Sequence, residues 1–349
     1  MSDTGYRTPG RRDVGRRAFL SSLGALAVPM TWSAAVRRRT PARAGGGEVA
    51  TVREVTAVFT RADERFGGVY ARGAVAEYLC TDVAAYCRSA FPREADRRAM
   101  FGAAAELAYL AGWKAHDAGL AGLAQRYYLH AFGLAGESDP GAHAGYVLRI
   151  LAHQALDLGR HEHCVDLAEA ALGRAAGRVD PGTESLFWLT LARASAAGGA
   201  AREATGALRR AELLITRTGT DAAPPWASLG GPAEARLTHQ SGKTLAALGD
   251  LRGAEQQLAR SAACWDPVTH PRVRALTLAE LAELRCARGN VDEACATWSQ
   301  ALDAMTGVAS ARTRDAVASL RRALSPYRAR GVAAVRALDG RAAAMQAPG

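Results

Sequence analysis

The chain of 349 residues has six cysteines but no CxxC, and it lacks a nucleophile elbow, a paired-carboxylate setting and a phosphate loop. The usual chemistries of acyl transfer, phosphoryl transfer and metal-assisted hydrolysis therefore have no signature here. The expectation is a protein that is not an enzyme, with no catalytic residue, no metal and no cofactor. Cys80 and Cys87 stand seven apart on one expected helix, and Cys164, Cys264, Cys286 and Cys295 fall on others. That distribution reads as buried free thiols in a reducing compartment. Alternation of apolar and polar residues is missing, which argues against a sheet. The apolar stretch at residues 19–30 is too short for a permanent membrane span. Aromatics make up only 6% of the chain while Ala abounds, the composition of helices that approach closely.

What is present is periodic. Gly119, Gly159, Gly199, Gly249 and Gly289 each follow one helical segment and precede another, and three of the four intervals are forty residues. The repeat at Gly119 has Gly112 midway along its first helix, where a neighbour must come close, and Ala124, Tyr128 and Ala131 at i, i+4, i+7 on its second. The repeat at Gly289 gives Ala282, then Ala294, Trp298 and Ala301 at the same offsets. Ala204, Leu208 and Ala211 follow Gly199, Cys164, Ala168 and Ala171 follow Gly159, and Ala254, Leu258 and Ser261 follow Gly249. A small, aromatic, small seam of this kind marks a tetratricopeptide repeat. The reading is an all-α, tetratricopeptide-like helical-repeat solenoid of about five repeats plus capping helix pairs; a plain Ala-rich bundle is the alternative. Such arrays bind partners more often than they catalyse.

The net charge of +10 suggests nucleic acid until it is located: residues 1–47 carry nine Arg and two Asp, leaving only +3 for the rest. Residues 1–48 form a basic arm, residues 49–93 an N-terminal capping helix pair, residues 94–325 the repeats, and residues 326–349 a short helix and tail. A helix is expected to end near Leu324, broken by Pro326. Gly15-Arg16-Arg17-Ala18-Phe19-Leu20 reads either as a twin-arginine export signal or as a retained linker. The arginines could hold phosphates non-specifically or simply solubilise the arm. The fifty-residue interval between the third and fourth repeats contains residues 218–232, a Pro- and Gly-rich segment expected to be a rigid, exposed insertion.

First helices line the concave face of such an array. Glu106, Tyr109, Trp113 and His116 fall at i, i+3, i+7, i+10, one stripe. The matching later positions are Tyr146, Arg149 and His153, then Arg193, then Arg236, His239 and Lys243, then Glu283. The groove so drawn is aromatic at one end and basic in the middle, suited to a peptide or protein tail with a carboxylate. The competing reading makes these residues interhelix ion pairs and core aromatics. His161-Glu162-His163-Cys164 invites a metal, but its histidines, two apart, point to different faces, so a solvated turn is the reading there.

Ala104, Glu106 to Ala108, Leu110 to Trp113, His116, Asp117, Gly119, Leu123 to Tyr128 and Ala131 resemble the tetratricopeptide sensor half of actinobacterial Xre-type helix-turn-helix regulators of differentiation and antibiotic production. Arg65-Phe66-Gly67-Gly68, His153-Gln154-Ala155-Leu156-Asp157-Leu158-Gly159 and Asp292-Glu293-Ala294-Cys295 extend the resemblance over residues 49–325. It implies a cytoplasmic sensor that binds a peptide or protein partner and modulates transcription of development or secondary-metabolite genes. It also implies that residues 16–20 are a linker, the alternative being a protein exported by the twin-arginine route. No helix-turn-helix fits in residues 1–15, so direct DNA binding is not expected without a further domain. Output would pass through a helix-turn-helix paralogue or a homodimer. Residues 228–233 depart from the aromatic-acidic stretch such regulators carry there.

Overall fold

The computed structural model describes residues 41–216, 223–228, 231–328 and 333–346. The twin-arginine segment, whether signal or linker, lies outside the described residues, as do residues 218–222 and 229–230 of the insertion. Among the described residues the fold is all-helical, without a named strand. Helix α1 (Gly46–Phe66) begins where the Glu48 carboxylate accepts the Gly45 N–H at 2.8 Å. Helix α2 (Arg72–Tyr78) passes through a π-helical turn (Leu79–Val83) into α3 (Ala84–Cys87).

Paired helices follow: α4 (Glu94–Asp117) with α5 (Ala121–Ser138), α6 (Ala142–Asp157) with α7 (His161–Ala175), and α8 (Pro181–Ala197) with α9 (Ala201–Ile215). After the short α10 (Pro225–Ser228), α11 (Ala233–Ala247) pairs with α12 (Leu251–Cys264), and α13 (Pro271–Ala287) with α14 (Val291–Met305). Helices α15 (Ala311–Arg328) and α16 (Ala333–Gln346) complete the chain. Each member of a pair packs most heavily on its partner, and adjacent pairs stack.

The period has a backbone cause. All five repeat glycines adopt positive φ, from 69 to 86°. In each turn the next residue donates to the carbonyl five residues earlier: Leu120 to Ala115, Arg160 to Ala155, Ala200 to Ser195, Asp250 to Leu245 and Asn290 to Arg285, at 2.8–3.0 Å. This Schellman closure needs a left-handed residue, which Gly supplies at least cost. The seam residues of the second helices are all buried: Ala124, Tyr128 and Ala131; Cys164, Ala168 and Ala171; Ala204, Leu208 and Ala211; Ala254, Leu258 and Ser261; Ala294, Trp298 and Ala301. At Gly112 an added Cβ would lie 2.5 Å from the Tyr128 ring, so the seam aromatic sits directly on this glycine.

Four local expectations change. The first helix starts at Gly46 rather than near residue 49. Pro326 lies inside α15, which continues to Arg328; a proline this close to a C-terminus disturbs only a bond at the helix end. Cys80 is exposed rather than buried, while Cys164, Cys286 and Cys295 are buried free thiols. The insertion is not wholly exposed, because Trp226 tucks inward, its ring stacked on His143 at 5.3 Å and tilted against Tyr146 at 5.2 Å.

The largest addition to the sequence reading is closure. Helix α1 packs on α13, joining the start of the array to its last repeat. Arg272 Nη2 donates to Asp63 at 2.7 Å and lies 3.2 Å from Glu64, while its Nη1 is 3.3 Å from Asp117. Lys114 Nζ reaches Asp63 at 3.2 Å. Asp117 in turn accepts the Gly68 N–H at 2.8 Å and the Ser310 hydroxyl at 3.0 Å. The Ala309 N–H donates to Phe66 O at 2.8 Å and the Val69 N–H to Ala309 O at 3.3 Å. Burial alone would weaken the Arg272 charge, but Asp63, Glu64 and Asp117 outweigh it and hold its pKa well above the ordinary value.

Candidate functional site

Side chains from α1, from the first helices of the pairs and from α15 line a cavity of about 180 Å³ that opens to solvent. Ten of the twelve groove residues drawn from the sequence line it: Tyr109, Trp113 and His116 from α4, Tyr146, Arg149 and His153 from α6, Arg193 from α8, and Arg236, His239 and Lys243 from α11. Glu106 does not. It is buried one helical turn before Tyr109, at 3.4 Å from Arg53 on α1, and so serves the contact between α1 and α4. Glu283 is also absent from the lining; α13 contributes Val273, Leu276 and Thr277 instead.

The sequence stripe missed the contributions of closure. Thr60, Asp63 and Glu64 come from α1, Trp265 from the turn after α12, and Arg312 from α15. No local pattern marks them, since they reach the cavity only because the ends of the array meet. Trp113 is shared between the two readings: it lines the cavity, yet the Arg272 and Arg312 guanidinium carbons lie 5.8 and 5.5 Å from its ring centre.

The electrostatics are lopsided. Lining cations are Arg149, Arg193, Arg236, Lys243 and Arg312, against the carboxylates Asp63, Glu64 and Asp157. Those carboxylates are committed elsewhere: Asp63 and Glu64 to Arg272, and Asp157 to His116 at 3.5 Å. Just behind the wall, Glu280 takes both His239 and Lys243 at 2.6 Å. Burial pushes the Glu280 carboxyl up, but the Lys243 and His239 partners overcome it and hold it well below the carboxylate range. Arg193 donates to Gln240 Oε1 at 2.7 Å.

Arg149 and Arg236 have no such carboxylate among the described residues. Arg149 is buried, stacked over the Tyr146 ring at 4.6 Å, and its Nε has no hydrogen-bond partner; nor have Nε and Nη1 of Arg236. His153 lies between two cations, its Nε2 3.0 Å from Arg149 Nη1 and its Nδ1 3.3 Å from Arg193 Nη1. Burial, then Arg149 and Arg193, drive its pKa well below the usual value, so the ring is neutral. A neutral imidazole accepts at only one nitrogen, so one of these guanidinium groups faces a ring N–H. The Tyr146 phenol reports the same field: burial raises its pKa, yet the Arg149 and Arg236 charges win and bring it below the ordinary value.

Glu64 behaves oppositely, its carboxyl raised to about 6 by burial, with Arg272 opposing and Asp63 and Asp117 assisting.

His161, Glu162 and His163 are exposed on the first turn of α7. No cluster able to hold a metal occurs among the described residues. Among the same residues no helix is long and apolar enough to cross a membrane. Compared with known families and with curated proteins, the chain matches none.

Proposed function

We propose that this chain is a tetratricopeptide-like regulatory sensor of the cytoplasm, which binds a ligand at the centre of its array and modulates transcription of development or secondary-metabolite genes through a partner protein. The observation that carries the binding half is the convergence of ten concave-face side chains from four helices on one cavity, with buried guanidinium donors left unsatisfied. Each such donor costs about 1–3 kcal/mol to bury unpaired, and on Arg149 and Arg236 they gather at one cavity wall. The repeat turns and the buried small-residue seam, aromatic at Tyr128 and Trp298, support the tetratricopeptide reading. The regulatory half rests on the resemblance to the sensor modules of helix-turn-helix regulators. A ligand that favours the closed array over an opened one would shift that equilibrium, and a partner reading the α1–α13 junction would respond.

The test is deletion of the gene in its host with transcript profiling and complementation. Altered development or secondary-metabolite transcripts, restored by the native gene and not by an Arg149→Gln, Arg236→Gln double variant, support the reading. A profile unchanged by deletion overturns it.

A further inference from the structure

We infer that the cavity takes a small, planar, free carboxylate of about one ring, its carboxylate held between Arg149, Arg236 and the Tyr146 hydroxyl and its ring against the aromatic wall. This deepens the proposed sensor reading and rests on it. The anion follows from hydrogen-bond arithmetic. Arg149 Nε, Arg236 Nε and Nη1 and the lining Trp265 Nε1 are buried without partners, while the Tyr146 hydroxyl lies within the reach of both guanidinium groups. The four nitrogen atoms can only donate, and Tyr146 can also accept. Asp63 and Glu64 face Arg272 and Asp157 faces His116, and among the described residues no carboxylate pairs with Arg149 or Arg236. A carboxylate supplies acceptor lone pairs in the planar geometry that guanidinium forks match.

Size selects among carboxylates. A cavity of about 150 Å³ holds benzene. The 180 Å³ here thus suits one ring with its carboxylate, and a longer ligand would leave its remainder outside the opening. The wall agrees with a flat, partly apolar body. Tyr109 stands 6.1 Å from Tyr128 and 6.2 Å from Tyr146, and Leu110, Ile150 and Leu276 complete the apolar side. An inorganic anion would leave this side unused; a peptide would need its C-terminal carboxylate alone to enter.

The experiment is isothermal titration of the full chain with benzoate, benzamide, inorganic phosphate, and a short peptide with either a free or an amidated C-terminus. Benzoate is expected to bind, with benzamide at least tenfold weaker because the ring is kept and the charge removed. Arg236→Gln and Tyr146→Phe should each weaken benzoate, the first by more than tenfold, while the exposed Arg260→Gln leaves it unchanged. The benzoate–benzamide comparison uses native protein, so it stands even if a variant misfolds. Equal binding of benzamide, or binding of phosphate or the free-C-terminus peptide without benzoate, overturns the ligand class while leaving the sensor reading intact. Absence of binding by every anion, with transcript control still lost in the double variant, also overturns it and would place those arginines in a partner contact.

Discussion

Arg272 Nη2 donates to Asp63 Oδ2 at 2.7 Å across 209 residues of chain, with both side chains sealed from water. This pair ties the last repeat to the first helix. A buried charge pair gives little net stability when intact, yet removing one member strands the other. Arg272→Met should therefore cost about 3–5 kcal/mol, read as a lower urea midpoint. Small-angle scattering of the variant at low urea should show a larger radius of gyration as the array opens. An unchanged midpoint and radius would mean that closure rests on the backbone contacts of Phe66 and Val69 with Ala309 and on the Ser310–Asp117 hydrogen bond.

Those backbone contacts give a second expectation. Gly67 has φ 88° and ψ 166°, and an added Cβ would stand 2.4 Å from Ala309 O. That backbone region is nearly restricted to glycine, so Gly67→Ala should lose about 1–3 kcal/mol from strain, with the clash in addition. Gly206 within α9 has nothing near its Cβ position. Gly206→Ala should gain about 0.5–1 kcal/mol from helix propensity. Thermal melts of the two variants should move in opposite directions.

The contrast between these glycines shows what a sequence can carry. The five repeat turns were legible because each is decided within about six residues, by one left-handed glycine and one backbone bond. The stripe from Tyr109 to His116 and its counterparts were legible for a similar reason, since helical periodicity fixes which residues share a face. Glu106 fits that stripe but sits too far towards the helix start, level with Arg53 of α1 rather than with the cavity. Asp63, Glu64 and Arg312 were not legible. Their place depends on the packing of α1 on α13, joined by a pair 209 residues apart in the chain, and no local spacing encodes that contact. Trp226 was misread because Pro and Gly marked its segment as surface, whereas the indole finds a stacking partner in His143.

Glu64 should make stability fall as pH rises. Its carboxyl is raised to about 6 from 4.5. A raised acid stabilises the fold below its unfolded value and loses that contribution as pH climbs through the folded one. The window is pH 4.5 to 6, and the effect is about 2 kcal/mol. Glu64→Gln keeps the shape and removes the titration. The variant should equal the native protein near pH 4 and exceed it by that amount at pH 7, as read by urea midpoints at both values. Parallel profiles for the two proteins would show that Glu64 ionises without penalty.

His143 works in the opposite direction over nearly the same range. Burial, with Arg53 assisting and Asp139 opposing, depresses its pKa to about 4. A depressed base favours the fold above its unfolded value of 6.5 and withdraws that stability as pH falls through 4. The loss between pH 7 and 4 is about 3 kcal/mol, against the gain of about 2 kcal/mol from Glu64. The native profile contains both and is flattened to a difference of about 1 kcal/mol from these two groups, so it cannot reveal either. His143→Phe retains a flat ring beside Trp226 and removes one contribution. The stability difference between His143→Phe and the native protein should therefore grow by about 3 kcal/mol from pH 7 to 4, and adding Glu64→Gln should cut that growth to about 1 kcal/mol. If His143→Phe follows the native profile instead, the imidazole is protonated while stacked, and the Trp226 insertion tolerates a buried cation.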